Sequence, residues 1–275
     1  MTKNTNRLSG YHLKMIALIT MCIDHIAAVL IWRVYVASYR ITASMQLSDS
    51  FGDKVIVWVA NNQDVVYTIY EYMRYIGRMA FPIYCFLLVE GFLHTRNVTK
   101  YVGRLVLFAL ISEIPFDLAI EGKWWEYSYN NVFFTLVLGL LAIWALSYIE
   151  KFYEFWQEKK WEPILGRILV LSAGLIVIVG AGAFSEMVLF SDYGLGGIIA
   201  VAVLYLLRGE KMIAFTAAVL ALTVITGEIE ILALAMLYPV MMYDGSRGKN
   251  IKYVFYAFYP VHLLVLALIC MGIGV

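Results

Sequence analysis

Residues 13–35 read LKMIALITMCIDHIAAVLIWRVY, an apolar run long enough to cross a membrane as a helix. Asp24 and His25 stand in the middle of this run. A charged side chain at the centre of a membrane helix costs roughly 2.5–3.5 kcal/mol on insertion scales, and such residues mark sites of chemistry or transport. The run therefore predicts both a membrane-spanning helix and a functional site inside it.

The composition of the whole chain agrees with a membrane protein. Of its 275 residues, 62% are hydrophobic and 15% are charged, whereas soluble domains carry about 25% charged residues. The net charge of +1 is too small to suggest a nucleic-acid partner. The basic start and long first run predict a retained signal anchor. Cys22, Cys85 and Cys270 show no metal or redox spacing and are expected to be buried, inert thiols.

Nine apolar runs, separated by polar breaks, are candidate membrane spans. They cover residues 13–35, 67–93, 101–120, 131–149, 163–184, 193–208, 211–227, 229–243 and 252–274. Crossing a membrane takes about 20 helical residues, so the sixth to eighth runs are short and are expected to be tilted, broken or partly buried. The predicted fold class is an all-α polytopic membrane protein with about nine transmembrane helices, in a single domain over 1–275.

Basic and acidic residues alternate between successive breaks. Lys and Arg collect before the first run and at every second break, whereas the intervening breaks carry mostly Asp and Glu. The positive-inside rule then places the N-terminus in the cytoplasm and the C-terminus outside the cytoplasmic membrane of a bacterium. Residues 37–66 form the long polar break and are expected to be an extracytoplasmic loop, in which residues 55–60 form a short strand or an interfacial helix.

This topology places four ionisable side chains at a similar depth. His25, Arg78, Glu113 and His262 each lie about ten to twelve residues from one end of their run, which is near the midplane at about 1.5 Å of rise per residue. Scattered polar residues from four helices would not be expected to share a depth. The sequence therefore predicts a polar chamber at the midplane.

Three prolines support this chamber. Pro82, Pro115 and Pro260 stand beside three of the four ionisable residues, and each removes a helix hydrogen bond. A broken backbone is tolerated at membrane depth where it is buried in protein or lines a wet cavity. The prolines are therefore expected to shape the site.

The candidate roles of these residues follow from position and charge. His25 is expected to be a catalytic base or an acyl carrier, with a hydrogen-bond bridge between helices as the structural alternative. Asp24 points about 100° away from its neighbour and is expected to orient a ring or to pair an arginine. Arg78 is too deep to reach the surface and needs an anion, either Glu113 or a substrate. Glu113 is expected to be the partner of Arg78, with a base as the alternative. His262 remains open as a base, a donor or a packed bridge.

Two other polar sets have structural interpretations. Arg74 lies close enough to the outer end of its run to extend to the surface, and its pairing with Glu71 is expected to be structural. Asn130 and Asn131, before the fourth run, are expected to cap a helix.

The order of short motifs along the chain resembles one membrane family. The motifs are KMIA (14–17), MCIDH (21–25), IGRMAFP (76–82), VEGFLHT (89–95), KY (100–101), RL (104–105), SEIPFD (112–117), NVFFTL (131–136), DYG (192–194) and FYPVHL (258–263). Together they resemble the TraX family, which is named for a conjugative-pilus acetylase. That family is similar to a wider group of polytopic acyltransferases. These enzymes pass acetyl groups from cytoplasmic acetyl-CoA to acceptors at or beyond the outer membrane face.

The resemblance implies a transmembrane acetyltransferase without a metal. His25 would deprotonate an acceptor hydroxyl or amine, or carry the acetyl group, while Arg78, held by Glu113, would stabilise charge on the carbonyl oxygen. The acceptor remains open among a pilin, a cell-wall sugar and a lipid. The phosphates of acetyl-CoA are expected to bind basic residues that the positive-inside rule also demands, namely Arg96, Lys100, Arg104, Arg247 and Lys249.

Two other functions are compatible with the same residues. A transporter or proton-coupled channel would use the buried His, Glu and Arg side chains as a relay. A non-catalytic assembly factor for a surface appendage would use them only to join helices.

Overall fold

Helices and their connecting turns make up the residues that the computed structural model describes, which are 7–40, 50–159, 162–250 and 252–275, and no strand lies among them. Its α-helices are α1 (Gly10–His25), α2 (Trp32–Ser38), α3 (Phe51–Ala60), α4 (Gln63–Gly77), α5 (Ala80–His94), α6 (Val98–Ile120), α7 (Val132–Glu158), α8 (Pro163–Met187), α9 (Gly194–Leu206), α10 (Lys211–Thr226), α11 (Leu237–Met241) and α12 (Lys252–Ile273). A π-helical segment, Ile26–Ile31, joins α1 to α2, and a 3₁₀ helix, Glu228–Met236, precedes α11. The prediction of an all-α fold is confirmed.

Five stretches of the described residues are long and apolar enough to cross a membrane. They are Gly10–Ser38, Gln63–His94, Val132–Glu158, Pro163–Met187 and Tyr253–Ile273. Helices α9 and α10 are apolar but shorter, and the eighth predicted run is interrupted because it contains the 3₁₀ helix and α11. The count of nine spans and the orientation of the termini remain predictions.

Contacts divide the chain into two compact units. The first unit comprises Met1–Phe81, Ile111–Glu126 and Tyr243–Val275, and the second comprises Pro82–Leu110 and Tyr127–Met242. Helices α5 and α6 therefore contribute residues to both units. A single functional domain over the whole chain remains a prediction.

The first unit begins with a helix that changes its winding directly after His25. The π-helical segment Ile26–Ile31 follows this residue without a break and leads into α2. π-helical turns are rare and occur frequently at functional sites. No glycine or proline in residues 24–33 signals the change, so the hydrophobic pattern does not predict it.

The predicted loop 37–66 contains a helix. Ser50 caps α3, because its hydroxyl accepts a hydrogen bond from the Asp53 amide at 3.1 Å. Val59 of α3 packs with Val34 and Val66, which buries the apolar side of the helix. Of the two structures expected for residues 55–60 the helix is observed, and it begins earlier, at Phe51. The extracytoplasmic position of residues 37–66 remains a prediction. Residues 41–49 lie outside the described part.

The second unit is built around the middle of α7. Leu140 and Ile143 are fully buried there, as are Ile198 of α9 and Phe215 of α10. Phe86 of α5 meets Phe215 edge to face, with 6.4 Å between the ring centroids.

The cysteines are free thiols. Cys85 and Cys270 are buried, as expected, but Cys22 is half-buried. The prediction of three buried thiols is therefore wrong for Cys22.

Candidate active site

The Asp24 carboxylate in the first unit lies between two arginines of the next span. Arg74 donates from Nη1 to Oδ2 at 2.7 Å, and Arg78 donates from Nη2 to Oδ1 at 3.0 Å. The exposed fraction of each side chain is small, at 14% for Asp24, 13% for Arg78 and 27% for Arg74. Hydrogen bonds between two charged groups are roughly twice as strong as neutral ones. Two guanidiniums therefore share one carboxylate in this group.

Gly77 allows α4 to approach Asp24. A Cβ atom at this position would overlap the Asp24 side chain. Gly77 also ends α4, and Arg78 follows it in a turn before α5 begins at Ala80. The missing side chain therefore allows both guanidiniums to close around the same carboxylate.

Arg74 has a role that the sequence pattern does not predict. The expectation that it extends to the outer surface is wrong, because its guanidinium binds Asp24 and is largely buried. The available signal is the spacing of four residues to Arg78, which places both side chains on one helical face.

His25 and His262 form a hydrogen-bonded pair across α1 and α12. Nδ1 of His25 lies 2.8 Å from Nε2 of His262, and Nδ1 of His262 lies 2.8 Å from the carbonyl oxygen of Phe258. His262 is 8% exposed. Two histidines that are 237 residues apart in sequence thus meet in one site.

The hydrogen bonds assign the tautomers of the two neutral rings. A carbonyl oxygen can only accept, so Nδ1 of His262 carries a proton and donates it to Phe258. In the neutral ring Nε2 of His262 then has a lone pair, and it accepts from Nδ1–H of His25. In this series of hydrogen bonds, the remaining nitrogen, Nε2 of His25, therefore has a free lone pair. In general-base catalysis, the base is commonly oriented by a hydrogen bond to a second group, as His262 orients His25 here.

Aromatic rings hold the pair in place. Phe258 stacks on the His262 ring at 4.7 Å between centroids, with an interplanar angle of 13°. Tyr259, which is 3% exposed, meets both histidine rings edge to face, at 5.8 Å for His25 and 5.7 Å for His262. The imidazoles are therefore confined by packing as well as by hydrogen bonds.

Glu113 is buried in the same unit. It lies on α6 beside Ser112, and the two residues are 5% and 0% exposed. Pro115 lies inside this helix and leaves the carbonyl of Ile111 without its usual donor. Arg78 donates to Asp24, and this ion pair accounts for the burial of the Arg78 guanidinium. The predicted pairing of Arg78 with Glu113 remains a prediction. A chamber that encloses all of these side chains also remains a prediction.

Two side chains that the sequence pattern does not single out hold the end of α6. Nη2 of Arg33 donates to the carbonyl oxygen of Leu118 at 2.9 Å. The fully buried Asp117 accepts from the Glu126 amide at 2.9 Å. Arg33 lies in the first apolar run and Asp117 in the SEIPFD motif, so an ionisable residue within an apolar stretch is the signal for both.

The basic residues expected to bind acetyl-CoA fall in both units. Arg96, Lys100 and Arg104 belong to the second unit, and Arg247 and Lys249 belong to the first. All except Arg104 are exposed. The Arg104 guanidinium lies 5.7 Å from the Tyr101 ring centroid. Its Nε atom is buried, and no described residue provides a hydrogen-bond partner for it. A buried donor of this kind suits an anionic group such as a phosphate.

A polar cluster ties α7 to the turn before α9 in the second unit. Thr135, which is fully buried, bonds the hydroxyl of Ser191 at 2.9 Å and the carbonyl of Asp192. Asn131 caps α7 by accepting from the Phe133 amide at 3.0 Å. The prediction of a helix cap is confirmed for Asn131, whereas the Asn130 backbone pairs with the turn at 190–192.

Within the described residues, no three His, Cys, Asp or Glu side chains lie together as a metal site would require.

Comparison with known proteins identifies the family of this chain. The family model described as TraX protein matches residues 9–270. The chain belongs to the TraX family. This TraX-family chain is also similar to a protein of Dichelobacter nodosus named "Probable fimbrial assembly protein FimC, serogroup H1", with 29% identity over 97% of each chain. No solved structure matches it. The histidine pair and the Asp24–arginine group both lie within the matched region.

Proposed function

We propose that this TraX-family protein is a membrane acetyltransferase that moves an acetyl group from cytoplasmic acetyl-CoA to an acceptor at the outer face. The observation that supports this most directly is the pair of His25 and His262, which leaves Nε2 of His25 as an oriented lone pair. Proton transfer by a positioned histidine contributes about 10²–10⁴-fold to such reactions.

The proposed reaction needs one base and returns its proton. Nε2 of His25 removes the proton from an acceptor hydroxyl or amine as the acceptor oxygen or nitrogen bonds to the thioester carbonyl carbon. The carbon–sulfur bond then breaks, and the imidazolium of His25 gives the proton to the departing sulfur. The products are the acetylated acceptor and free CoA, so atoms and charge balance without a metal or a redox partner.

The arginine group is proposed to stabilise the charge of the tetrahedral intermediate. Its guanidiniums bind Asp24, the residue next to His25 in sequence. Donors that are fixed before the reaction stabilise a developing oxyanion without further reorganisation. In this proposal Asp24 is a positioning residue, and Arg78 is the donor assigned to the carbonyl oxygen.

Acetyl-CoA, as the acyl-donor substrate, is proposed to bind through its phosphates on the cytoplasmic side. The unpartnered Nε of Arg104 supports this assignment within the second unit, and Lys100 lies one helical turn away on α6. Arg96, Arg247 and Lys249 are further candidates. This requires the proposed topology, in which the N-terminus is cytoplasmic, the C-terminus is extracytoplasmic and the protein spans the cytoplasmic membrane.

Radiolabelled acetyl-CoA offered to the purified protein in proteoliposomes tests the proposal. His25→Asn keeps a donor near the position of Nδ1 but removes Nε2, so transfer and CoA release should fall about 10²–10⁴-fold. The elution volume and melting temperature of the variant show whether it is folded. Unchanged transfer in a folded His25→Asn protein would rule out His25 as the base.

A second candidate function follows from the name of the similar protein. A fimbrial assembly factor without catalysis would also use buried polar contacts to join its helices. It should show no thermal stabilisation by acetyl-CoA, whereas a ligand at a hundredfold its Kd adds about 2.7 kcal/mol. A melting curve with and without acetyl-CoA separates the two functions.

A further inference from the structure

Helix α3 lies in the chain between two stretches that are apolar and long enough to cross a membrane. Gly10–Ser38 precedes it, and Gln63–His94 begins after a connection of two residues. The ten residues of α3 extend about 15 Å, which is about half the thickness of the hydrocarbon core. Because α3 is too short to cross, it stays at the membrane face at which the first stretch ends and the second begins.

One face of α3 packs against both stretches just inside their ends. Val59 of α3 is buried in one apolar cluster with Val34 and Val66, and we call these three residues the valine cluster. Val34 is four residues before Ser38, and Val66 is three residues after Gln63. Each therefore lies about one helical turn, or about 5 Å, from the end of its stretch. The valine cluster thus places α3 at the level at which the apolar stretches end.

The end of α12 holds α3 at the same level. A Cβ atom on Gly52 would overlap the backbone of Ile273, so the two helices touch there without a side chain between them. Ile273 also packs against the valine cluster, and it is the last residue of the apolar stretch Tyr253–Ile273. Three apolar stretches of the first unit therefore end beside α3.

Two large rings are exposed on a flank of α3. Phe51 and Trp58 are 74% and 57% exposed. Each precedes a buried residue of the packed face, Gly52 or Val59, by one position, which is a rotation of about 100° around the helix axis. The two rings are seven residues apart, or about two turns, so they lie on the same side of the helix. We call Phe51 and Trp58 the aromatic flank.

The flank on the other side of the packed face carries Asp53 and Ala60. Each follows a residue of the aromatic flank by two positions, or about 200° of rotation, so the two flanks point in nearly opposite directions. When a helix lies along a membrane face with its packed side against the protein, one flank faces the acyl chains and the other faces water. Aromatic rings are favourable at the membrane boundary, whereas a carboxylate is costly in the membrane. The residue types therefore direct the aromatic flank toward lipid.

The caps of α3 suit a position with little water. At its C-terminal end, the side-chain amides of Asn61 and Asn62 donate to the carbonyl oxygens of Val57 and Trp58, at 3.0 and 2.8 Å. At its N-terminal end, the Ser50 hydroxyl accepts from a backbone amide. The first amides and last carbonyls of a helix have no partner within it, and leaving them bare away from water costs free energy. Side chains of the protein replace water at both ends of α3.

We propose that α3 is an interfacial helix that inserts the aromatic flank into the lipid leaflet at this end of the first unit, which is the outer leaflet in the proposed topology. Helices of this kind bury their apolar side about 5–10 Å into the boundary between headgroups and acyl chains. Lipid is the partner that fits, because the valine cluster and Ile273 hold α3 at the level at which three apolar stretches end. A water-soluble partner would instead meet the flank of Asp53 and Ala60. The assignment does not depend on the proposed acetyltransferase function.

Single spin labels on the full-length protein in lipid nanodiscs test the proposal. Collisions of each label are measured with oxygen, which concentrates in the membrane, and with a nickel chelate, which stays in water. Helix α3 offers two matched pairs of positions, each with one residue of the aromatic flank and one of the other flank. The labelled variants are Phe51→Cys with Asp53→Cys, and Trp58→Cys with Ala60→Cys.

The native thiols require one further change. Cys22 is half-buried and is replaced by serine in every protein, whereas Cys85 and Cys270 are buried and remain. Melting temperatures, compared with that of the Cys22→Ser protein, show which labelled variants are folded. Because each pair is compared separately, one variant that fails to fold leaves the other pair to decide.

The ratio of oxygen to nickel collisions should be several-fold higher at position 51 than at 53, and at position 58 than at 60. Nickel collisions that prevail at 51 and 58 would place the aromatic flank in water and overturn the proposal, as would equal ratios within both pairs. Low collision rates with both reagents at 51 and 58 would show that protein covers this flank, as in a pair of copies of the chain, and would also overturn it.

Discussion

Gly77 lies directly against the side chain of Asp24, and no methyl group fits between them. This contact between α4 and α1 brings Arg74 and Arg78 to the same carboxylate. Gly77 therefore allows two guanidiniums and one carboxylate to meet in the first unit.

Gly77→Ala should lower the stability of the protein by about 1–3 kcal/mol, because a Cβ forced into a packed contact displaces its neighbours. The matched control is Gly180→Ala on α8, where nothing lies within 4 Å of the added Cβ. In a helix interior this control should gain up to about 1 kcal/mol. Denaturant titration of both proteins in detergent compares the two changes. Equal effects at the two positions would contradict the close contact.

Asp24 and Arg74 should be energetically coupled. Asp24→Asn removes the carboxylate that two guanidiniums share, so it should destabilise the protein more than Arg74→Gln does. The double variant should be about 0.5–3 kcal/mol more stable than the sum of the single changes predicts. A double-mutant cycle of unfolding free energies measures this coupling. Additive single changes would show that the ion pair contributes nothing.

His262 should act through His25. His262→Gln retains an acceptor for Nδ1–H of His25, whereas His262→Leu removes it. We expect acetyl transfer to fall about tenfold or more in His262→Leu, within the range of a misoriented base, and to recover in His262→Gln. The pH profile of kcat/KM should move in His262→Leu, since the second ring no longer interacts with the base. A loss that is equal in both variants, with unchanged profiles, would indicate a packing role alone.

Asp244 should make the start of α1 sensitive to acid. Hydrogen bonds from Ser246 hold the pKa of the Asp244 carboxyl below its ordinary value of about 3.9. A depressed pKa stabilises the folded state above the ordinary pKa, and this stabilisation disappears as the pH falls through the folded-state pKa. Asp244→Asn should therefore melt at a lower temperature than the parent near pH 7, and the difference should shrink as the pH falls below the ordinary pKa of the carboxyl. Parallel melting curves at all pH values would contradict the contribution of this charge.

Thr135→Val should destabilise the second unit by about 1–3 kcal/mol, because it leaves the buried Ser191 hydroxyl short of a partner. Thr223→Val on α10 is the control. Its hydroxyl donates to the carbonyl of Val219 in its own helix, and that carbonyl keeps its backbone partner after the change. Unfolding free energies of the two variants should differ, and similar values would show that the buried cluster is not stabilising.

The linear pattern of residues predicts most of the helices. Long apolar runs between polar breaks place α8 and α12 close to their observed bounds, because burial and lipid contact both select apolar side chains over a whole helix. They also place the start of α7, which continues beyond the predicted run to Glu158. At α3 the pattern leaves a helix and a strand equally open and misses the first turn from Phe51, because a short amphipathic helix lies inside a break that is polar on average. It also fails at Ile26–Ile31, because an apolar π-helical segment and an apolar α-helix have the same composition.

For the candidate site too, the sequence predicts some features and the tertiary structure decides the others. The cost of burying charge marks Asp24, His25, Arg78 and His262 from the sequence, since each is an ionisable residue in an apolar run. Which of them touch is a matter of long-range packing. Arg74 binds one oxygen of the Asp24 carboxylate because Gly77 lets α4 approach α1. His262 meets His25 because α12, at the far end of the sequence, packs against α1. Hydrogen-bond geometry in three dimensions then places the free lone pair on Nε2 of His25, since a tautomer depends on partners that no stretch of sequence contains.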